Sequence, residues 1–182
     1  MLAFTRRALI ALTVLAALPA FAEDAVTNTI DLKTKNGDVI IKLRPDLAPK
    51  HVKQIQTLVS QHFYDGIVFH RVIPAFMAQT GDPTGTGSGG SKLPNVPLEV
   101  STEPFKRGTL GMARAQDPDS ANSQFFICTA DSAFLNGNYT VFGEVVSGMD
   151  VVDKIKAGTQ ANNGAVKNPD KIVSIRFVAD SN

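Results

Sequence analysis

From residue 28 onward, apolar and polar positions alternate over short stretches. Ile30, Leu32 and Thr34 fall on one side while Thr29, Asp31 and Lys33 fall on the other, the period of two that an extended strand gives. Lys35-Asn36-Gly37-Asp38 then supplies a turn, and Val39-Ile40-Ile41-Lys42-Leu43 resumes the extended pattern, which predicts a hairpin. Pro45 ends the second strand. Pro49 opens a helix, because proline suits the first helical turn and Val52, Ile55, Leu58 and Val59 follow at helical spacing. Further strands are predicted over 68–72, 76–80, 109–114, 124–129, 140–145 and 171–179, which makes eight. A second helix over 150–156 turns Val151, Val152 and Ile155 inward, with Gly158 placed to cap it. This pattern predicts an all-β fold, a closed eight-stranded antiparallel barrel capped by two α-helices, since closure is how such sheets remove their edges.

The first 22 residues follow another pattern. Arg6 and Arg7 precede an uncharged apolar run over 8–18, then Pro19 and an Ala20-Phe21-Ala22 frame of small end residues. This reads as a cleavable signal peptide over 1–22, cut between Ala22 and Glu23, leaving 23–182 as one domain. The run is well short of the roughly 20 residues that a spanning helix needs. No cysteine follows the cut, which argues against a lipid anchor. Thr5-Arg6-Arg7 resembles the start of a twin-arginine signal, but the strongly apolar stretch behind it favours ordinary Sec export. A periplasmic or secreted location is expected, with no membrane partner once the signal is gone.

Composition narrows the function. Of 182 residues, 43% are hydrophobic and 19% charged, with 18 Lys plus Arg against 17 Asp plus Glu. That excludes a disordered chain and offers no charge excess for a nucleic-acid partner. Loss of Arg6 and Arg7, with no acidic residue beside them, takes the formal charge from +1 to −1. Cys128 is the single cysteine, so no internal disulfide forms and an exported chain must rely on packing. Nothing reads as a dimerisation segment, and a monomer is expected.

Several motifs fail on their context. Gly85-Thr86-Gly87-Ser88-Gly89-Gly90 satisfies G-x-G-x-x-G, but Asp82-Pro83 precedes it and Pro94 and Pro97 follow, so the strand and helix of a dinucleotide fingerprint are missing. Lys92 is followed by Leu93, which excludes a P-loop. The segment is a long loop whose glycines let a peptide backbone approach closely. Ser88 lacks the first glycine of a nucleophile elbow. His51, His62, His70 and Cys128 show no ligand spacing, so neither a metal nor a cofactor is predicted.

What remains is Arg71 inside an apolar strand, in Phe69-His70-Arg71-Val72-Ile73-Pro74-Ala75-Phe76-Met77-Ala78-Gln79. From charge pattern alone, a salt bridge to Asp65 or Asp82 is an equal reading. Adjacent Phe125 and Phe126 point to opposite sides of a strand, so one of them must line an outer groove.

At these residues the sequence resembles the cyclophilins, peptidyl-prolyl cis-trans isomerases, and in particular their exported bacterial type. FHRVIPAFMAQTGDPTGTGSGG over 69–90 and SQFFICTADSAFLNGNYTVFGEVVSGMDVVDKI over 123–155 carry the resemblance, with GTLGMARAQDPDSANSQFF over 108–126 between them. It implies that Arg71 is the principal catalytic residue, that Phe76, Met77, Phe126 and Leu135 form a proline pocket, and that Gln79 assists Arg71. Ala113, Arg114 and Gln124 fall where the family binds the residues before proline, with Gly87 on the neighbouring loop. Phe134 stands where the best-known eukaryotic members have tryptophan, and Tyr139 where they have histidine. Tryptophan there favours cyclosporin, so weak cyclosporin binding is expected. The partners implied are proline-containing unfolded or partly folded polypeptides. Two rivals are a proline-peptide-binding chaperone without significant turnover, against which Arg71 and Gln79 together argue, and a lipocalin-type carrier, disfavoured because Phe, Ile and Val would fill the interior.

Overall fold

The computed structural model describes residues 27–178, and the predicted signal peptide over 1–22 lies outside them. Eight strands appear in chain order: β1 (Thr29–Thr34), β2 (Gly37–Leu43), β3 (Arg71–Ile73), β4 (Met77–Thr80), β5 (Thr109–Met112), β6 (Phe125–Cys128), β7 (Val141–Ser147) and β8 (Ile172–Phe177). Two helices join them, α1 (Pro49–Ser60) and α2 (Met149–Val152), with 3-10 turns at Ala133–Leu135 and Gln160–Asn162. All ladders are antiparallel, in the order β3-β4-β6-β5-β7-β2-β1-β8.

Where the sequence predicts a closed barrel, the eight strands form a curled half-barrel. The end strands β3 and β8 share no ladder. They are linked by one bridge, Val68 to Lys171, and by bonds such as Ile172 N–H to the Ile67 carbonyl at 2.8 Å. The strand predicted over 68–72 is found at Arg71–Ile73, and the one over 109–114 stops at Met112, leaving Ala113 and Arg114 beyond its end.

The β1–β2 hairpin forms where the turn residues predict it, with Thr34 opposite Gly37. Gly37 is at φ +134, and a Cβ there would sit 3.1 Å from the Val151 side chain. Helix α1 starts at Pro49 and buries Val52, Ile55, Leu58 and Val59. Its first-turn amides on Lys50 and His51 donate to the Glu99 carboxylate at 3.2 and 3.1 Å, which satisfies two of the donors a helix start leaves open. His51 lies within the helix, fully buried, with Nδ1 2.7 Å from the same carboxylate. Helix α2 is one turn long and ends at Asp153, so Gly158 does not cap it.

Alternation along the strands splits the apolar residues between two cores. Leu32, Ile41, Val72, Ala78, Leu110, Phe125, Ile127 and Ile175 fill the concave interior together with Tyr64 and Phe69. The fully buried Tyr64 hydroxyl donates to the Ser123 carbonyl at 3.0 Å, as a phenol taken out of water requires. On the other side of β4, β5 and β6, Met77, Phe105, Phe126, Cys128, Leu135 and Val141 form a smaller outer cluster. Phe125 faces inward and Phe126 outward, as their adjacency demands.

Candidate active site

Strand register builds the centre of the site. Arg71 pairs with Gln79, Gln79 with Phe126 and Phe126 with Gly111, so one row crosses β3, β4, β6 and β5. Residues in register share a face, and three of these side chains therefore meet outside the sheet. Gly111 is required here: a Cβ would collide with the Phe126 ring and lie 2.6 Å from Phe105 Cε1. Its absence lets Phe126 lie flat against Phe105, with centroids 5.8 Å apart.

Above this row is a cavity of about 450 Å³. Phe76, Met77, Phe126 and Leu135 give it an apolar end, while Arg71, Gln79, Gly87, Ala113, Arg114 and Tyr139 line the rest. Arg71 is held on three sides. Its Nε donates to the Asn163 carbonyl at 3.0 Å, Nη2 to Asn163 Oδ1 at 2.9 Å, and Nη1 to Gln79 Oε1 at 3.1 Å. A guanidinium carries five N–H groups, so one remains on each terminal nitrogen. No carboxylate lies within ion-pair distance of it among the described residues. Asp65 pairs instead with Arg176 at 2.7 Å, and Asp82 is occupied by its own loop. The salt-bridge reading of Arg71 is thereby overturned. Burial pulls its pKa below the usual guanidinium value, the sign of a cation held partly out of water.

The remaining walls are fixed by hydrogen bonds. Gln79 Nε2 donates to Gln124 Oε1 at 2.9 Å, and Gln124 Nε2 donates to the Gly87 and Gly89 carbonyls at 3.0 and 2.8 Å. Arg71 is thus tied through two amides to the glycine loop. Asp82, 1% exposed, organises that loop by accepting the Thr84, Thr86 and Gly87 amides at 2.7, 3.1 and 2.6 Å. Burial alone would raise its pKa, but these donors and the Thr84 hydroxyl outweigh it and hold the carboxyl down at about 2. Gly87, at φ +88, closes over the buried His70 ring, a Cβ there coming 3.5 Å from Cδ2. Arg114 stacks on Tyr139 with Cζ 4.7 Å from the ring centroid and donates to the Ala115, Gln116 and Asn138 carbonyls. Tyr139 meets Phe126 edge-on at 5.9 Å.

Ten of the twelve residues singled out in the sequence line this one cavity. Gln124 stands behind Gln79 and lines a neighbouring groove, and Phe134 is turned outward, 69% exposed, with its ring 5.2 Å from that of Phe76. Sequence reasoning missed Asn163, which contributes two of the three acceptors that hold Arg71. Its signal was Asn162-Asn163-Gly164, a turn sequence in which Asn163 takes φ +55 and presents carbonyl and side chain together. His70 was also missed as a lining residue. It is 8% exposed, neither ring nitrogen has a hydrogen-bond partner among the described residues, and burial lowers its pKa, which favours a neutral imidazole.

The site is thus an apolar notch beside a fixed guanidinium that has no carboxylate partner among the described residues, on the outside of a curled antiparallel sheet. Residues 29–177 match the family described as cyclophilin type peptidyl-prolyl cis-trans isomerase, and the chain belongs to that family. It is 56% identical to a probable peptidyl-prolyl cis-trans isomerase of Brucella suis biovar 1, over 98% of this chain and 96% of the relative. A peptidyl-prolyl cis-trans isomerase of Acinetobacter baylyi is 40% identical, over 84% and 87% of the two chains. Among solved structures, a cyclophilin of Cryptosporidium parvum crystallised in the presence of the dipeptide Ala-Pro aligns with a TM-score of 0.76 at 28% identity, covering 84% of this chain and 99% of that one. The chain is a peptidyl-prolyl cis-trans isomerase.

Proposed function

We propose that this isomerase accelerates rotation about X-Pro bonds of exported polypeptides during their folding, with Arg71 stabilising the twisted amide. The reading rests on one observation: the Arg71 guanidinium is fixed by Gln79 and Asn163, lacks a carboxylate partner among the described residues, and keeps N–H groups available beside the apolar notch. Rotation faces a barrier of about 18–20 kcal/mol because it breaks amide resonance. Shortening about 100 s to about 1 ms asks for about 7 kcal/mol, and no covalent bond has to be made or broken.

As the amide twists, the prolyl nitrogen recovers its lone pair and becomes an acceptor that neither planar form offers. Arg71 donates to it there. The bond exists only near the transition state, so it lowers the barrier without tightening ground-state binding. The apolar surround of Phe76, Met77, Phe126 and Leu135 holds the ring and strengthens the interaction by excluding water. Gln79 keeps Arg71 in place. The residues before proline run along Ala113, Arg114 and Gln124 beside Gly87, where strand β5 has ended.

The signal over 1–22 directs the chain to the periplasm or medium, with cleavage after Ala22. The mature domain acts as a monomer, and the bridge from Val68 to Lys171 supports closure of the curled sheet into a barrel. With Phe134 turned outward in place of a tryptophan, cyclosporin binds weakly. The test is an isomerase assay on an Ala-Pro peptide with wild type and Arg71→Ala. A loss of about 2 to 3 decades in kcat/KM is expected, equivalent to about 3 to 4 kcal/mol. Full activity in the variant, or a wild type no faster than the spontaneous rate, overturns the mechanism.

A further inference from the structure

A second cavity, of about 500 Å³, opens beside the first and shares Phe76 and Asn163 with it. Two features there are unused by the mechanism above. Phe134 leaves 69% of its surface exposed, a large apolar side chain in contact with water. Beside it, Asp131 is the single charged residue lining the cavity among the described residues. Its Oδ1 accepts the Arg107 amide at 3.0 Å, while Oδ2 receives no hydrogen bond among the described residues. No cation stands within ion-pair distance of it either, since the Arg107 guanidinium is turned to Asp153 at 2.7 Å.

An exposed aromatic face next to an unpaired carboxylate suits one kind of side chain. Lysine and arginine lay an apolar stem along hydrophobic surface while holding the charged head in a polar setting, and their cations are attracted to aromatic faces. The direction of the substrate then follows from the reading given above, on which this inference rests. If the residues before proline lie along Ala113, Arg114 and Gln124, those after proline leave on the opposite side of the notch, across the Phe76–Phe134 pair.

We propose that Asp131 and Phe134 form a specificity site for a basic residue within the two positions that follow proline in the substrate. Asp131 selects charge and Phe134 carries the stem. The effect is modest because the site is open to solvent: an exposed ion pair together with a cation–π contact corresponds to a preference of about 3- to 10-fold.

The experiment measures cis-trans exchange by NMR on peptides Ala-Ala-Pro-Xaa-Ala and Ala-Ala-Pro-Ala-Xaa, with Xaa as Arg, Ala or Glu. In wild type, kcat/KM is expected to rank Arg above Ala above Glu at one of the two positions, with the Arg-to-Glu ratio falling as salt is raised. Asp131→Asn, which keeps an Oδ1 acceptor for the Arg107 amide, should bring that ratio close to one, and Asp131→Lys should invert it. Phe134→Ala should reduce the Arg peptide more than the Glu peptide. Wild type that turns over the Ala peptide with no charge preference at either position overturns this inference and leaves the isomerase reading standing. Failure to turn over the Ala peptide at all overturns that reading instead. A preference that survives in Asp131→Asn and is insensitive to salt removes Asp131 from the site.

Discussion

In the mechanism proposed above, Arg71 could not be replaced by lysine without losing what the site depends on. A planar fork is what allows one side chain to donate to Gln79 and twice to Asn163 while keeping an N–H on each terminal nitrogen for substrate. Arg71→Lys should therefore lose about as much kcat/KM as Arg71→Ala, although the charge is retained. Asn163 acts through Arg71 as a positioning residue. Asn163→Gly tolerates the positive φ of 55 and keeps the carbonyl, so it removes only the 2.9 Å bond from Nη2. We expect kcat to fall about tenfold, about 1.4 kcal/mol, with a much smaller change in KM, because a loosened guanidinium is missed chiefly at the transition state. A change confined to KM would show that Asn163 only binds.

The row from Arg71 to Gly111 is a property of elements, and it explains which parts of the site could be read from sequence. That Phe126 faces outward follows from its adjacency to an inward Phe125, a matter of period alone. That it meets Gln79 and Gly111 depends on the order β4-β6-β5, which joins segments far apart in the chain and leaves no local trace. The turn at Gln160–Asn162 has no apolar periodicity, so the residues bracing Arg71 from that side stayed invisible despite their turn chemistry. Helix α2 is shorter than the apolar spacing predicts, because Ile155 continues that spacing whereas the chain after Val152 proceeds in turns. The row also makes a prediction about packing. Gly111→Ala forces a methyl into Phe126 and Phe105 on the crowded outer face, and should destabilise the protein by about 1–3 kcal/mol in urea unfolding while lowering activity by displacing the Phe126 wall. Unchanged stability would mean that the two rings give way freely.

For the molecule as a whole, the export proposed above would require the chain to stay folded outside the cell without an internal disulfide. Cys128 is buried, its thiol pushed up to about 12 by burial, which leaves it protonated and unreactive at neutral pH. Export itself is checked by mass spectrometry of the secreted or periplasmic protein, which should begin at Glu23; another first residue would displace the cut assigned after Ala22. Stability then falls to packing and to buried polar anchors, of which Asp82 is the one most sensitive to acid. Its carboxyl sits at about 2 in the folded chain against an ordinary 3.8. A group lowered on folding binds fewer protons in the native state. It contributes fully above 3.8 and loses that contribution as pH falls through 2, which over nearly two units is about 2 kcal/mol. Asp82→Asn presents an amide that cannot accept all of the loop donors. It should be less stable than wild type by about this amount at pH 6, and the gap in thermal midpoint should narrow between pH 4 and pH 2 as wild type loses its advantage. A gap that stays constant across that range would show that the glycine loop is held by something other than the Asp82 charge.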